Sequence, residues 1–337
     1  MSMELPDIDF SVPPFLIHHY YVSGTIAILM NSFVVYLLLF QNRKMDSFRY
    51  YMLSFVLACS LVDFHVSFSM QPVPLFPIVT GQCAGFLAIQ FNWSPHLLMT
   101  FMTLFLGFQV NILALCFFRK HQVIAVIGKR YVLSKAKSNA VVLFCLFYTF
   151  AYTIPFYCSR LSKEEQFRLI DQKYPQLRPQ FEQLPNFDVY ELNPSMMTFF
   201  LGIIGGCMQA TVTISLLAFQ MYTTLLRCQH NLSKTTLEKH KTALTSLVVQ
   251  FLVTPIAILP SMLTLSTVFI VFDGVQVFTW YMMMIMTTHS TINCIVIIFT
   301  NPEFKSFVLF WSKAGQLRRN RSSFNTVHDI SGSIRVL

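Results

Sequence analysis

"CFFRKHQ", residues 116–122, closes the longest uncharged stretch of the chain. From Phe64 to Phe118 there is no Asp, Glu, Lys or Arg, and then Arg119, Lys120 and His121 arrive together. A membrane helix needs about 20 apolar residues. The stretch is too long for one span, so the chain must fold back within it. The rest of the sequence has the same character: of 337 residues, 54% are hydrophobic, 12% are charged and 35 are Phe. Soluble domains carry about a quarter charged residues. This composition excludes a soluble domain and makes lipid the natural solvent.

Working outward from that stretch, apolar windows mark seven spans, at roughly 18–40, 50–70, 83–118, 139–159, 195–226, 242–271 and 277–299. Each must be helical, because lipid satisfies no open backbone group. "QPVPLFPIVTG" (71–81) reads as the turn between spans two and three. Span three starts either at Cys83 or near Trp93, with Pro95 able to kink it. The expected fold is an all-α membrane protein, a seven-transmembrane-helix bundle over 18–299. A short N-terminal segment, 1–17, precedes it. Glu4, Asp7 and Asp9 in that segment, with no Lys or Arg, are the wrong charge for a secretory signal. Beyond the bundle, Phe304, Phe307, Val308 and Trp311 recur at helical spacing beside Lys305 and Lys313. That pattern predicts an amphipathic helix over 300–313 on the inner leaflet, then a disordered tail over 314–337. No internal repeat or pair of broken helices of the transporter kind is visible.

Charge sets the expected orientation. Five Lys and Arg fall on the N-terminal side of the membrane and nineteen on the other, with six acidic residues offsetting the five in loop 160–194. The positive side faces the cytoplasm, so the N-terminus is expected outside and the C-terminus inside. The basic residues are juxtamembrane and scattered, which excludes a nucleic-acid partner.

Among eight cysteines, only Cys83 and Cys158 fall near the outer ends of spans. A disulfide between them would pin the long loop across the mouth of the bundle; two buried free thiols are the alternative. No metal-ligand spacing appears, and neither metal nor cofactor is expected. Asp63 is the only acidic residue within a span. With Asn31 and Asn293 it forms a candidate intramembrane polar cluster, near His65; packing by hydrogen bonds is the plain alternative. Gln109, Asn111, Gln209 and Gln250 read as interhelical hydrogen-bonding residues. Pro255 and Pro260 make span six a candidate hinge, or a static kink. For ligand contacts, His65, Trp93, His96, Met99 and His289 offer polar or aromatic groups at accessible depth, and each is equally explicable as core.

"FRYYML", "VDFHVSFSMQPVPLFPIVTGQCAG", "CFFRKHQ", "QFLVTPIAILP" and "HSTINCIVIIF" together resemble the nematode serpentine chemoreceptors, in the group of classes H and I, with class I favoured. The resemblance runs from about residue 8 to 312. It departs at "NPEFK", where this group has a Pro-Tyr-Arg-like element; the hydroxyl is lost and the charge kept. The resemblance implies a G-protein-coupled receptor without catalytic residues, in a sensory cilium. Its partners would be an external small-molecule or peptide cue, a heterotrimeric G protein and membrane lipid. The place of Arg119, beside Lys120, resembles that of the Arg such receptors turn to the G protein; as a topology anchor it needs no such role. A seven-span channel or transporter is the rival reading. An intramembrane hydrolase would have to rely on His65, Asp63 and His289, too thin a set.

An epitope tag before Met1 should be reached by antibody on intact cells, and a tag after Leu337 only after permeabilisation. The reverse labelling would overturn the receptor orientation.

Overall fold

Pro13 and Pro14 open the first helix, where the fixed φ of proline is suited to a first turn. The computed structural model describes residues 8–41, 48–267, 270 and 272–310; the expected tail over 314–337, with Trp311 and Lys313, lies outside them. Seven helices among the described residues are long and apolar enough to cross a membrane. Span one is α1 (Pro14–Tyr36), ending in a π-helical turn, Leu37–Gln41. Span two is α2 (Phe48–Phe64), which also ends in a π-helical turn, His65–Met70.

The Pro-rich turn is more than a turn. Strands β1 (Pro72–Pro74) and β2 (Thr80–Cys83) form a hairpin with Val73 opposite Gln82. A short helix α3 (Phe86–Phe91) follows. Span three is α4 (Pro95–Gly128). Its start corrects the Cys83 alternative: Cys83 is a strand residue, and Ser94 caps the helix by accepting from the N–H of Leu97. Span four is α5 (Lys135–Cys158).

Loop 160–194 carries structure of its own. It contains α6 (Lys163–Lys173), α7 (Arg178–Gln183) and strand β3 (Phe187–Val189). A full capping box, Ser162 with Glu165, starts α6. Strand β3 pairs with β2, Gly81 opposite Asp188, to complete a three-stranded sheet. Leu75, Ile78, Ile170, Phe181 and Phe187 form a separate small core above it.

Span five is α8 (Pro194–Cys228). Span six is α9 (Lys234–Val253) followed by α10 (Pro255–Ser266). Span seven is α11 (Val275–Met286) followed by α12 (His289–Thr300). Residues 302–310 are helical again, with Phe304 fully buried and Phe307 and Val308 packed against the main core, while Phe310 is exposed. The helices overrun the apolar windows at the basic end, so the expected loops 119–138 and 227–241 shrink to a few residues each.

The expected Cys83–Cys158 bridge is not made. Cys83 turns into a buried cluster with Leu16, Tyr20, Val66 and Met70, and Cys158 stands exposed at the end of α5. The loop is held instead through Asp188, which is 2% exposed. One carboxylate oxygen accepts from the His96 N–H in the first turn of α4 (2.8 Å), and the other from the Gln166 side chain of α6 (2.8 Å). Lys163 lies 3.8 Å from the same carboxylate and donates to the Phe187 carbonyl. Thr80 of β2 donates to the Asp188 carbonyl at 2.9 Å.

Asp188→Ala strands the buried donors of His96 and Gln166, at about 1–3 kcal/mol each. It should lower the thermal midpoint of the purified chain by several degrees and reduce surface expression. Cys158→Ser should change neither; a loss equal to that of Asp188→Ala would restore the disulfide.

Candidate functional site

Three glycines shape the interior at the sheet end of the bundle. A Cβ on Gly107 of α4 would overlap the Tyr152 hydroxyl, and one on Gly202 of α8 would lie 2.5 Å from the Tyr152 Cβ. A Cβ on Gly206 would lie 2.8 Å from the Tyr148 ring. Small residues let membrane helices approach closely. Here they admit two tyrosines of α5 between α4 and α8. Tyr148 donates to the Gly202 carbonyl at 3.0 Å, and Asn111 of α4 donates to Thr149 at 2.8 Å.

A cavity of about 250 Å³ lies beside these tyrosines. Its walls come from α4, α5, α8 and α10, and its roof from β1, β2 and Tyr190. The described lining is almost wholly apolar. Asn111, Thr103, Ser261, Thr264 and the two tyrosines give it polar points, and it contains no Asp, Glu, Lys, Arg or His. Such a site suits binding by shape with a few hydrogen bonds.

Of the five expected ligand residues, Met99 lines the cavity and the other four do not. His65 bonds the Leu98 carbonyl at 2.8 Å and meets Phe105 edge-on. Trp93 stacks on Phe101, outside the cavity. His96 lies flat on Phe156, with centroids 4.9 Å apart, and bonds the Tyr157 carbonyl at 3.1 Å. His289 is buried against Gln109, 3.3 Å away. Depth along a helix is readable from sequence; which way a side chain points around the axis is not. Tyr148 and Tyr152 went unnoticed because tyrosines are common in such spans, although the glycines at 107, 202 and 206 were a signal of close approach.

The polar cluster exists in part. Asn31 donates to Asp63 at 3.0 Å and to Ser290 at 2.8 Å, and the Cys294 thiol donates to the Asn31 oxygen at 3.1 Å. Ser290 and Cys294 were not expected there, and His65 is not a member. Asn293 is fully buried, and its amide atoms have no hydrogen-bond partner among the described residues. Among those residues no group of three His, Cys, Asp or Glu side chains is placed to hold a metal.

Span six breaks at Thr254, just before Pro255. Proline has no N–H to give the Phe251 carbonyl. The Thr254 N–H takes that carbonyl at 3.1 Å, and the Thr254 hydroxyl bonds the Gln250 carbonyl at 3.1 Å. Pro260 lies inside α10. Span seven breaks at Thr287 without a proline: His19 of α1 reaches the Met284 carbonyl (3.1 Å) and the Thr287 hydroxyl (3.0 Å) there.

At the other end, Arg119 does not finish α4. It is half-buried, and the helix runs on to Gly128, about 13 Å further at 1.5 Å per residue. Lys120 is buried with its ammonium 5.3 Å from the Phe48 ring centre. Phe117, fully buried, meets Phe251 of α9 edge-on at 6.2 Å.

A bundle of seven membrane helices, with a sheet over one end and a polar network between spans one, two and seven, has the architecture of a rhodopsin-like receptor. The crystal structure of squid rhodopsin matches it with a TM-score of 0.53 at 12% sequence identity, covering 90% of this chain and 82% of that one. The family model described as "Serpentine type 7TM GPCR chemoreceptor Sri" matches residues 6–308, and the chain belongs to that family, which is one of receptors rather than enzymes. No curated protein matches.

Asn31→Leu removes the donor shared by Asp63 and Ser290, and should cost about 1–3 kcal/mol or more. Asn293→Leu deletes two unpaired buried atoms at similar volume, and should be neutral or stabilising. Thermal unfolding in detergent checks both; the reverse order would reject the network.

Proposed function

We propose that this chain is a chemosensory receptor that takes an external cue in the cavity and activates a heterotrimeric G protein at the Arg119 end. The sheet end then faces outside and the C-terminus the cytoplasm, in the plasma membrane of a sensory cilium; within the serpentine group the chain falls in class I. The carrying observation is the place of the break in span six. Above it, Ile258, Ser261 and Thr264 of α10 line the cavity. Below it, Phe251 of α9 rests on Phe117, two residues from Arg119. A ligand that fits one disposition of α10 better than another shifts the population of the two. The proline break is where the lower half can follow by a different angle. Arg119 then serves as a coupling residue, since a guanidinium fork can exchange one set of acceptors for the carbonyls of a partner helix. Lys120, buried against Phe48, keeps α4 in place against α2.

Arg119→Lys keeps the charge and loses the fork. It should reach the surface normally, yet reduce basal guanine-nucleotide exchange by a co-expressed G protein about tenfold, equivalent to about 1.4 kcal/mol. Normal exchange by both Arg119→Lys and Arg119→Gln would leave Arg119 an anchor only.

A further inference from the structure

The cavity has one thick side and one thin side. Its roof is buried: Val73 is 0% exposed, and Phe76, Thr80, Gln82 and Cys83 are buried too. Above the roof sits the second core of Leu75, Ile78, Phe181 and Phe187, and Asp188 ties the sheet to both α4 and α6. Between α5 and α8 the closure is different. Gly205 and Gly206 offer no side chain, and the Tyr148 ring fills their place, held at its hydroxyl by the bond to Gly202. Tyr148, Gly206 and Cys207 line the cavity and are all half-buried. Their neighbours Phe144, Phe147, Ile204 and Met208 are exposed, as lipid-facing residues are.

We infer that the ligand is an uncharged lipophilic small molecule that enters from the bilayer between α5 and α8, past Tyr148, and not through the sheet. The inference rests on reading this cavity as the ligand site. A charged group would leave water for a lining that offers no counter-charge among the described residues, a large cost. The volume, about 250 Å³, exceeds the ~150 Å³ that holds benzene and falls below the ~300–1,000 Å³ of drug-sized pockets. It suits a chain or ring compound with one hydroxyl or carbonyl, met by Asn111, Tyr148 or Thr264. A peptide would have to part both the sheet and the core above it.

The test uses the full chain in lipid nanodiscs and an eight-carbon alcohol carrying a photoreactive diazirine, with the matching carboxylate and amine. The alcohol should label α4, α5 and α8 at cavity residues, in competition with 1-octanol, and the charged analogues at least tenfold less. Mixing before the flash gives the rate of entry. Tyr148→Ala should shorten the half-time severalfold, and Tyr148→Phe, which loses only the hydroxyl bond and folds most safely, about twofold. Labelling of the cavity by the carboxylate or amine equal to that by the alcohol, or none by the alcohol, would overturn the ligand class. Faster entry in Asp188→Ala than in either Tyr148 variant would overturn the route. The labelling reads occupancy and not signalling. Absent nucleotide exchange therefore counts against the receptor function alone, and a charged cue shown to bind in this cavity counts against this inference alone.

Discussion

Taking a carboxylate out of water costs several kcal/mol unless its oxygens find donors, and those found by Asp188 come from separate parts of the chain. The His96 N–H belongs to the first turn of span three, where proline and the Ser94 cap account for the neighbouring positions. Gln166 and Lys163 belong to α6, while the main-chain carbonyl of Asp188 accepts from Thr80 of the hairpin. The N-terminal end of a helix is electrostatically positive, so the carboxylate also sits where the macrodipole favours it. One buried side chain thereby fixes where span three begins, how the sheet lies across the bundle, and how the 160–194 loop folds back. A disulfide would have done the last of these jobs; the carboxylate does all three.

The interior below is shaped by a second demand, that backbone groups freed inside lipid be satisfied by protein. At Thr254 the cost of Pro255 is met by an N–H and a hydroxyl of the same residue. At Thr287, where no proline stands, the Met284 carbonyl is met by that threonine with His19 from another span. Both breaks are therefore met by protein groups alone. The glycines at 107, 202 and 206 act in the opposite sense: they remove side chains so that tyrosines of α5 fill the gap, and the cavity is the space those tyrosines leave.

The number of spans and the basic end were legible in the sequence, because lipid imposes a length and a polarity that composition cannot hide. Asn31 and Asp63 were legible as a pair because an acid in a span must find a donor. The sheet was not: three prolines between Gln71 and Gly81 read as a turn, and pairing with Phe187–Val189 depends on a partner more than a hundred residues away. The cavity lining was mostly missed for a related reason. His65, His96 and His289 are chemically conspicuous, but the structure commits the first two to carbonyls and ring contacts and His289 to the Gln109 side chain. The lining is made of side chains that no composition argument would single out.

That division has a physical logic. Polar groups in a low-dielectric interior are stable only when paired, so the conspicuous residues are the ones most firmly committed to holding the fold. Asn31, Asp63, Ser290 and Cys294 bind one another across spans one, two and seven, and none of them lines the cavity. The cavity is left to residues whose contacts can be exchanged cheaply: methionines, a few hydroxyls and aromatic rings. A bundle built this way can vary its lining without losing its frame, since a change at Met99 or Ile258 alters shape while a change at Asn31 or Asp188 strands a buried partner. Span six joins the two regimes, with α10 on the adaptable lining and Gln250 of α9 fully buried and bonded to Ser246, which in turn accepts from Thr300 of span seven. The break at Thr254 lies between them, so a lining contact acts first on α10, and α9 can follow at a different angle by exchanging its contacts with span seven.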